Sequence, residues 1–173
     1  MSHPTGLACQ TGMEPRLQNP ATLLPDAMKG VQYLNKAISQ GGVPQTTLEL
    51  VHMRASQING CSACVEFGLR GASRTGEPLD RLVRLTAWRE ADCFTDAERA
   101  ALALTEAATR LADRPDAVTD EIWAEAARHY DENGLAAIVL MVAMTNMLNR
   151  VSTTVRAPAA SARQQAGAAT SAT

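Results

Sequence analysis

Residues 49–64 read ELVHMRASQINGCSAC, and this stretch decides much of the predicted fold. Its first ten residues are apolar enough for a mostly buried helix, and Asn59-Gly60 is a typical helix end. The chain then enters Cys61 and keeps helical spacing over residues 61–72. The sequence therefore predicts two consecutive helices, with Cys61 and Cys64 at the start of the second one.

Apolar residues recur at helical spacing through most of the remaining chain as well, and we find no credible strand. Aromatic residues make up only 3% of the chain, so the core has to be built from Ala, Leu, Val, Ile and Met, which suits closely packed helices. The further predicted helices are 23–38, 79–91, 95–113 with a Thr95/Glu98 capping box, 119–130 and the very apolar 135–155. We therefore predict an all-α bundle of about six or seven helices.

The chain has 173 residues, which is the usual size of a single domain. Residues 1–20 lack apolar periodicity and are predicted to form an irregular N-terminal arm. Residues 21–157 are the predicted helical domain. Residues 158–173 contain no large apolar side chain, so we predict a disordered tail.

Charge and hydropathy limit the partners that we expect. The formal net charge of −2 creates no field that attracts nucleic acid. No apolar run approaches the ~18–20 residues that span a bilayer, and residues 1–10 have neither the basic start nor the hydrophobic core of a signal peptide. We therefore expect a cytoplasmic protein that binds neither nucleic acid nor membranes. The Met- and Ala-rich helix surfaces are more apolar than a lone bundle needs, which favours a homo-oligomer.

Cys61 and Cys64 carry the clearest chemistry in the sequence. Thiols at i and i+3 lie on one side of a helix turn, and the positive end of the helix dipole favours the thiolate there. A thiolate attacks a peroxide or a disulfide, and a second thiol can resolve the resulting sulfenic acid. A structural zinc site and a pair of inert buried cysteines are the alternatives. Zinc usually takes four ligands. The other candidates lack the usual ligand spacing: His52, His129, Cys9 and Cys93.

Signatures of other cofactors are missing from the sequence. We find no Gly-rich phosphate loop, no Ser-centred nucleophile elbow and no His-Glu-x-x-His motif. We therefore expect no nucleotide, flavin or zinc cofactor and no metal site.

The stretch 49–64 resembles the redox-motif segment of the alkylhydroperoxidase (AhpD-like) branch of the carboxymuconolactone decarboxylase family. The resemblance extends more loosely over residues 20–158, through 87–89, 94–102 and the late apolar helix. It implies an AhpD-like helical bundle that assembles as a trimer or a hexamer. It also implies a proton relay with Glu49 as the carboxylate, Cys64 as the thiolate that attacks peroxide and Cys61 as the resolving thiol.

Gly68 departs from the family pattern, which has a His at this position, four residues after the second Cys. A His one helical turn from Cys64 could accept the thiol proton and later donate it. The Gly favours a close helix approach, or space for water or substrate, and the resemblance predicts that Gly68→His raises peroxide turnover. His52 is our candidate to replace the missing relay His, and its alternative is a hydrogen-bonded bystander.

Glu49 is expected to need a partner, because a carboxylate among apolar neighbours is costly to bury alone. Besides the relay, an ion pair with Arg54 or Arg84 is the alternative role for Glu49.

The sequence predicts a thiol-dependent peroxidase, an oxidoreductase that reduces organic hydroperoxides through Cys61 and Cys64. An external dithiol reductant or a reductase protein then restores the reduced pair. One alternative is a lyase or isomerase acting on a small organic acid, as in the decarboxylase branch, which generally lacks the Cys-x-x-Cys pair. The other is a noncatalytic member that lost the relay His at Gly68.

Overall fold

The computed structural model describes residues 14–112 and 114–159 of the chain. Within these ranges it contains eight α-helices, one 3-10 turn at Leu85–Ala87 and no β-strand, so the predicted all-α class is confirmed. The helices in chain order are α1 Pro20–Leu23, α2 Pro25–Ser39, α3 Gln45–Ile58, α4 Ser62–Arg74, α5 Leu79–Arg84, α6 Asp96–Thr109, α7 Asp120–His129 and α8 Glu132–Val155.

The predicted first helix over 23–38 is in fact two helices. The Asn19 side chain caps α1 by accepting from the backbone N–H of Ala21, and Pro25 begins α2. Because a proline disfavours the helical conformation at the preceding residue, Leu24 is more extended, with φ −125° and ψ 83°. The described residues therefore contain eight helices where we predicted six or seven.

The predicted helix over 79–91 ends early, since α5 stops at Arg84 and the 3-10 turn follows. The Arg99 side chain donates hydrogen bonds to four carbonyls of the next segment, those of Trp88, Arg89, Ala91 and Phe94. Because Arg99 supplies the hydrogen bonds of these four carbonyls, the chain can leave the helical conformation here without an unpaired backbone acceptor. Thr95 then opens α6 with the predicted capping box to Glu98.

The helix α3 lies at the centre of the fold and is buried on two sides. Leu48 and Val51 pack in one apolar cluster with residues of α2, α6, α7 and α8. Leu50 and Met53 pack in a second cluster with residues of α4, α5 and α6. None of these four side chains is more than 3% exposed. A helix held on two sides keeps its remaining face, which carries the predicted site residues, in a fixed position.

The helix α8 is long and apolar enough to cross a membrane by length and composition alone, with a mean hydropathy of 1.5 in its most apolar window. It is the one such helix among the described residues, so the prediction that no apolar run approaches a membrane-spanning length is wrong. Half of that window is buried inside the fold, where α8 packs against α2, α3 and α6. This burial is typical of a core helix.

Glu106 is a buried carboxylate that joins three segments of the chain. Its Oε1 accepts from Arg54 Nε at 2.7 Å and from Trp88 Nε1 at 3.0 Å, and its Oε2 accepts from Arg89 at 2.6 Å. Burial alone would raise the pKa of Glu106, but the hydrogen bonds from Trp88, Arg89 and Arg54 lower it to about 2. This network ties α6 to α3 and to the turn that follows α5.

The predicted domain limits stay predictions. Residues 14–19 are not helical, and α1 begins at Pro20. Residues 1–13 and 160–173, which make up most of the predicted arm and tail, lie outside the described residues.

Glu106→Gln is expected to destabilise the fold by about 3–5 kcal/mol, because it leaves the Arg54 guanidinium, whose side chain is only 13% exposed, without its charge partner. Since the pKa of about 2 lies below the ordinary value of 4.5, the ionised Glu106 stabilises the fold above about pH 4.5. This contribution is lost as the pH falls towards 2, so the variant should lose less stability over that range than the wild type. Urea denaturation at several pH values measures both effects.

Glu125→Gln is the control for this prediction, because Glu125 is a partly exposed carboxylate on α7 that pairs with Arg128. We expect a change below about 1 kcal/mol there. Equal losses in the two variants, or the same acid sensitivity with and without Glu106, would contradict a structural role for the buried network.

Candidate active site

Cys61 and Cys64 lie at the start of α4 and are joined by a disulfide bond, with their Cα atoms 5.3 Å apart. Cys61 is the N-cap residue of α4, and its carbonyl accepts from the backbone N–H groups of Cys64 and Val65. The two cysteines are only 3% and 7% exposed. The predicted i, i+3 pair is therefore present at the helix start, in its oxidised form.

A network of amide side chains holds the junction between α3 and α4. Asn59 Nδ2 donates to the Oδ1 atoms of Asn146 at 3.0 Å and Asn149 at 2.8 Å, both on α8. Asn149 donates in turn to Ser56 Oγ at 3.1 Å, and the backbone N–H of Cys61 donates to the Ser56 carbonyl at 3.1 Å. The position of Cys61 therefore depends on α8 as well as on α3.

The sequence predicts Asn59 only as a helix end and indicates no role for Ser56. The sequence signal for this network is Asn149, an amide within the very apolar stretch 135–155. The structure places this side chain in the interior, where it is 1% exposed. A polar side chain at such a position needs a buried partner, although the sequence does not say which residue supplies it.

His52 lies on α3 beside Cys64 and contacts its backbone. Because a carbonyl only accepts, Nε2 carries the proton that it donates to the Cys64 carbonyl at 3.2 Å. Nδ1 is 3.4 Å from Thr145 Oγ1, and the ring packs edge-on against Phe67. Burial lowers the pKa of His52, although the hydrogen bond to Cys64 and the charge of Glu49 act in the opposite direction. His52 is therefore a neutral imidazole at pH 7.

Gly68 and Gly71 let α4 approach α3 closely. A Cβ atom at position 68 would lie 2.5 Å from Met53 Sδ and 2.8 Å from His52 Cδ2, and one at position 71 would lie 2.8 Å from Glu49 Oε2. Of the interpretations for Gly68, the structure supports the close helix approach. It also argues against a gain from Gly68→His, because a side chain at 68 requires Met53 and His52 of α3 to move.

The carboxylate of Glu49 lies against Gly71 and accepts a hydrogen bond from Gln45 Nε2 at 2.9 Å. The alternative of an ion pair with Arg54 or Arg84 is wrong, since these two arginines bind other carboxylates.

The three polar groups follow one another along α4. Glu49 lies at Gly71, which is seven residues or ~10 Å of helix from Cys64. His52 lies between these two positions of α4. The order carboxylate, imidazole, cysteine suits a proton relay, with the imidazole supplied by α3 instead of α4. The structure thus brings His52 next to Cys64 and leaves Glu49 further away, and the roles of these residues stay predictions.

The other candidate ligands do not join the cysteine pair. Among residues 14–112 and 114–159, no three His, Cys, Asp or Glu side chains are grouped as a metal site. Cys93 is a free thiol of intermediate exposure, and His129 contacts Glu125 on its own helix. Cys9 lies outside the described residues.

Comparison with known proteins identifies the family. The model of the carboxymuconolactone decarboxylase family matches residues 25–107, which include the cysteine pair. The uncharacterised protein YdfG of Bacillus subtilis (strain 168) is 35% identical over 130 residues, which cover 75% of this chain and 87% of YdfG. The chain belongs to the carboxymuconolactone decarboxylase family.

Solved structures agree with this membership of the carboxymuconolactone decarboxylase family. A protein of unknown function from Agrobacterium tumefaciens, proposed to be the antioxidant defence protein AhpD, has a TM-score of 0.77 at 26% identity over 84% of this chain and 98% of that chain. The apo debrominase Bmp8 has a TM-score of 0.70 at 25% identity over 83% of this chain and 76% of that chain. A Cys-to-Ala variant of Bmp8 in complex with 2,3,4-tribromopyrrole, at 22% identity and a TM-score of 0.69, shows the likeness of fold alone. The predicted AhpD-like helical fold is therefore confirmed.

Gly68→Ala is expected to destabilise the protein by about 1–3 kcal/mol, because the added methyl group must displace Met53 and His52 from packed positions. Gly30→Ala is the matched control, since Gly30 also lies inside a helix but its Cβ would meet nothing within 4 Å. That substitution should stabilise the protein by about 0.5–1 kcal/mol. Urea denaturation measures both, and equal stabilities of the two variants would contradict the close approach of α3 and α4.

Proposed function

We propose that this protein is a thiol peroxidase that reduces organic hydroperoxides through Cys64 and Cys61. The observation that carries the proposal is the bonded cysteine pair at the start of α4, with a partly buried neutral imidazole against Cys64. A dithiol that closes to a disulfide delivers two electrons, the number that a hydroperoxide takes up when it becomes an alcohol and water. Likeness to the Agrobacterium protein proposed to act in antioxidant defence supports the same reaction class.

The reaction has two steps that balance in electrons and protons. The Cys64 thiolate attacks the hydroperoxide, the O–O bond breaks, and the sulfur becomes a sulfenic acid while the alkoxide takes a proton and leaves as the alcohol. The Cys61 sulfur then attacks the sulfenic sulfur. The S–S bond forms, and the hydroxyl group leaves as water with the proton of the Cys61 thiol.

His52 and Glu49 serve the proton transfers in this proposal. A neutral imidazole next to Cys64 can accept the thiol proton and return it to the leaving alkoxide. The negative charge of Glu49 favours the imidazolium that forms in between. In the disulfide state there is no thiol proton to accept, and the Nε2 proton of His52 is donated to the Cys64 carbonyl instead.

The cycle also needs partners. An external dithiol reductant or a reductase protein has to reduce the disulfide before the next turnover. We further propose a homo-oligomer, a trimer or a hexamer, because Val139, Leu140 and Met147 follow one face of α8 and are 38–46% exposed.

Reductive dehalogenation of a small halogenated aromatic compound is a second candidate reaction. The likeness to the debrominase Bmp8 favours it. The same pair would supply the electrons: two thiols become a disulfide, the carbon exchanges bromine for hydrogen, and bromide and a proton are released. The two candidates differ in the oxidant, so release of bromide from a bromopyrrole by the reduced protein, without any peroxide, would favour dehalogenation.

One equivalent of cumene hydroperoxide is expected to remove the mass of two hydrogen atoms from the reduced protein within minutes, because Cys61 and Cys64 close to a disulfide. Intact and peptide mass spectrometry measure the loss and its position. Cys64→Ser should abolish it, whereas Cys61→Ser should stop at a sulfenic acid on Cys64, one oxygen atom heavier. Cys93→Ser is the control and should react like the wild type.

An unchanged mass with both thiols still open to alkylation would contradict the peroxidase. If the Cys61→Ser, Cys64→Ser double variant still converted a small organic acid, the lyase or isomerase alternative would be favoured instead. Binding of a metabolite or protein without any turnover would favour the noncatalytic one.

His52→Asn is expected to slow the oxidation of the pair by hydroperoxide about 10²-fold, because Asn offers no basic nitrogen that could accept the thiol proton. Stopped-flow measurement of the second-order rate constant across the pH range tests this. His129→Asn, on the exposed α7, should leave the rate unchanged. A wild-type rate and pH profile in His52→Asn would make His52 a bystander.

A further inference from the structure

A cavity of about 130 Å³ opens beside Cys61, where α4 begins and α8 ends. Its walls include Cys61, Ser62, Ser152, Thr153, Arg156 and Pro158, whereas Cys64 is not part of them. On the other side of the pair, the Cys64 backbone is bonded to His52 of α3. This cavity, named here the Cys61 cavity, therefore borders the disulfide on the Cys61 side.

Arg156 is the charged residue in the wall of the Cys61 cavity, and the remaining wall residues are small, hydroxylated or apolar. No carboxylate among the described residues forms an ion pair with Arg156. The Cys61 cavity thus combines one cysteine of the disulfide with an arginine that has no charge partner in the described part of the chain. Such a wall favours a small molecule that carries negative charge.

The backbone of Arg156 has a left-handed conformation, with φ 54° and ψ 50°, directly after α8. The N–H groups of Arg156 and Ala157 donate to the carbonyls of Thr153 and Ser152, in the arrangement with which helices commonly end on glycine. A side chain strains the backbone in this conformation, and glycine does not. An arginine is thus present where the backbone favours glycine, which indicates that its side chain has a role.

We propose that the Cys61 cavity is the binding site of the thiol reductant, and that Arg156 selects thiols with a negative charge near the sulfur. This inference rests on the proposed function, because only an oxidised pair needs a reductant. Cys64, which attacks the hydroperoxide in that proposal, is absent from the cavity wall, so the cavity suits the reducing half of the cycle.

The reductant reduces the Cys61–Cys64 disulfide in two thiol–disulfide exchange steps. The thiolate of the reductant attacks Cys61 Sγ, a bond forms between these two sulfurs, and the Cys61–Cys64 bond breaks with Cys64 leaving as a thiolate. A second reductant thiolate attacks the reductant sulfur of this mixed disulfide. Cys61 leaves as a thiolate, and the oxidised reductant departs as its own disulfide. Two electrons reach the pair, and both sulfurs take up protons from water.

Three small thiols of different charge test the inference on the oxidised full-length protein. They are 2-mercaptoethanesulfonate, which is anionic, 2-mercaptoethanol, which is neutral, and cysteamine, which is cationic. Rates of disulfide reduction are measured by alkylation and mass spectrometry, and each is divided by the rate of the same thiol with a small uncharged disulfide, so that differences in thiol acidity and nucleophilicity cancel. We expect the sulfonate to react about 3–5 times faster than the neutral thiol and cysteamine to react more slowly than both. High salt should reduce these differences.

Arg156→Gly is expected to bring the three rates within about twofold of one another while the melting temperature stays equal or rises. If Arg156 had only a structural role, its replacement by Gly would not equalise the three rates while the melting temperature stays equal or rises. Arg156→Lys keeps the charge and should keep the preference. Arg74→Gln makes the same change in net charge at the far end of α4, about 20 Å of helix from Cys61, and should also keep the preference.

The position of the mixed disulfide is the second readout. Rapid alkylation with N-ethylmaleimide during the reaction should trap the reductant on Cys61 and the alkyl group on Cys64. Equal rates for the three thiols in the wild type, a preference that survives in Arg156→Gly, or an adduct on Cys64 would each overturn the inference and leave the peroxidase proposal intact. If none of the three thiols reduces the disulfide, the proposed thiol-dependent cycle fails as well.

Discussion

The close approach of α3 and α4 at Gly68 and Gly71 is the constraint on which the rest of the site depends. Because α4 carries no side chain at these two positions, side chains of α3 occupy the space between the helices. Glu49 and His52 therefore line the helix that carries the sulfurs without belonging to it. The two helices divide the chemistry, since α4 supplies the cysteine pair and α3 supplies the carboxylate and the imidazole. A larger residue on α4 could be accommodated only with a smaller one facing it on α3.

Polar groups inside the fold keep this arrangement in place. Arg54 holds α3 to α6 through Glu106, and Asn59 holds the α3–α4 junction to α8. Within the described residues, no buried side-chain nitrogen or oxygen lacks a hydrogen-bond partner. Since an unpaired buried polar group is costly, these networks oppose any displacement of α3 along α4. The catalytic proposal thus relies on helices that are held by directional bonds as well as by apolar packing.

The sequence sufficed for the features that depend on local spacing. Helical periodicity predicts the all-α class, Thr95 and Glu98 predict the start of α6, and the Cys61/Cys64 spacing predicts the pair. It did not suffice where partners are distant along the chain. Asn59 bonds to residues almost ninety positions away, which no local pattern reveals. The early end of α5 likewise depends on a side chain of α6, and the space at Gly68 depends on α3.

The pairing of α2 with α8 has a consequence for the order in which the protein is made. Val31, Leu34 and Ile38 of α2 belong to the apolar cluster that α8 completes, yet α2 ends at Ser39 and α8 ends only at Val155. At a synthesis rate of ~5–20 residues per second, the ribosome needs roughly 10 s to make the chain between these points. For that time the nascent chain presents an uncovered apolar face, the kind of surface that chaperones bind. Among the described helices, α8 leaves the ribosome after all the others and also carries the amides that position Cys61. A chain cut short before α8 therefore lacks both a closed core and a placed sulfur.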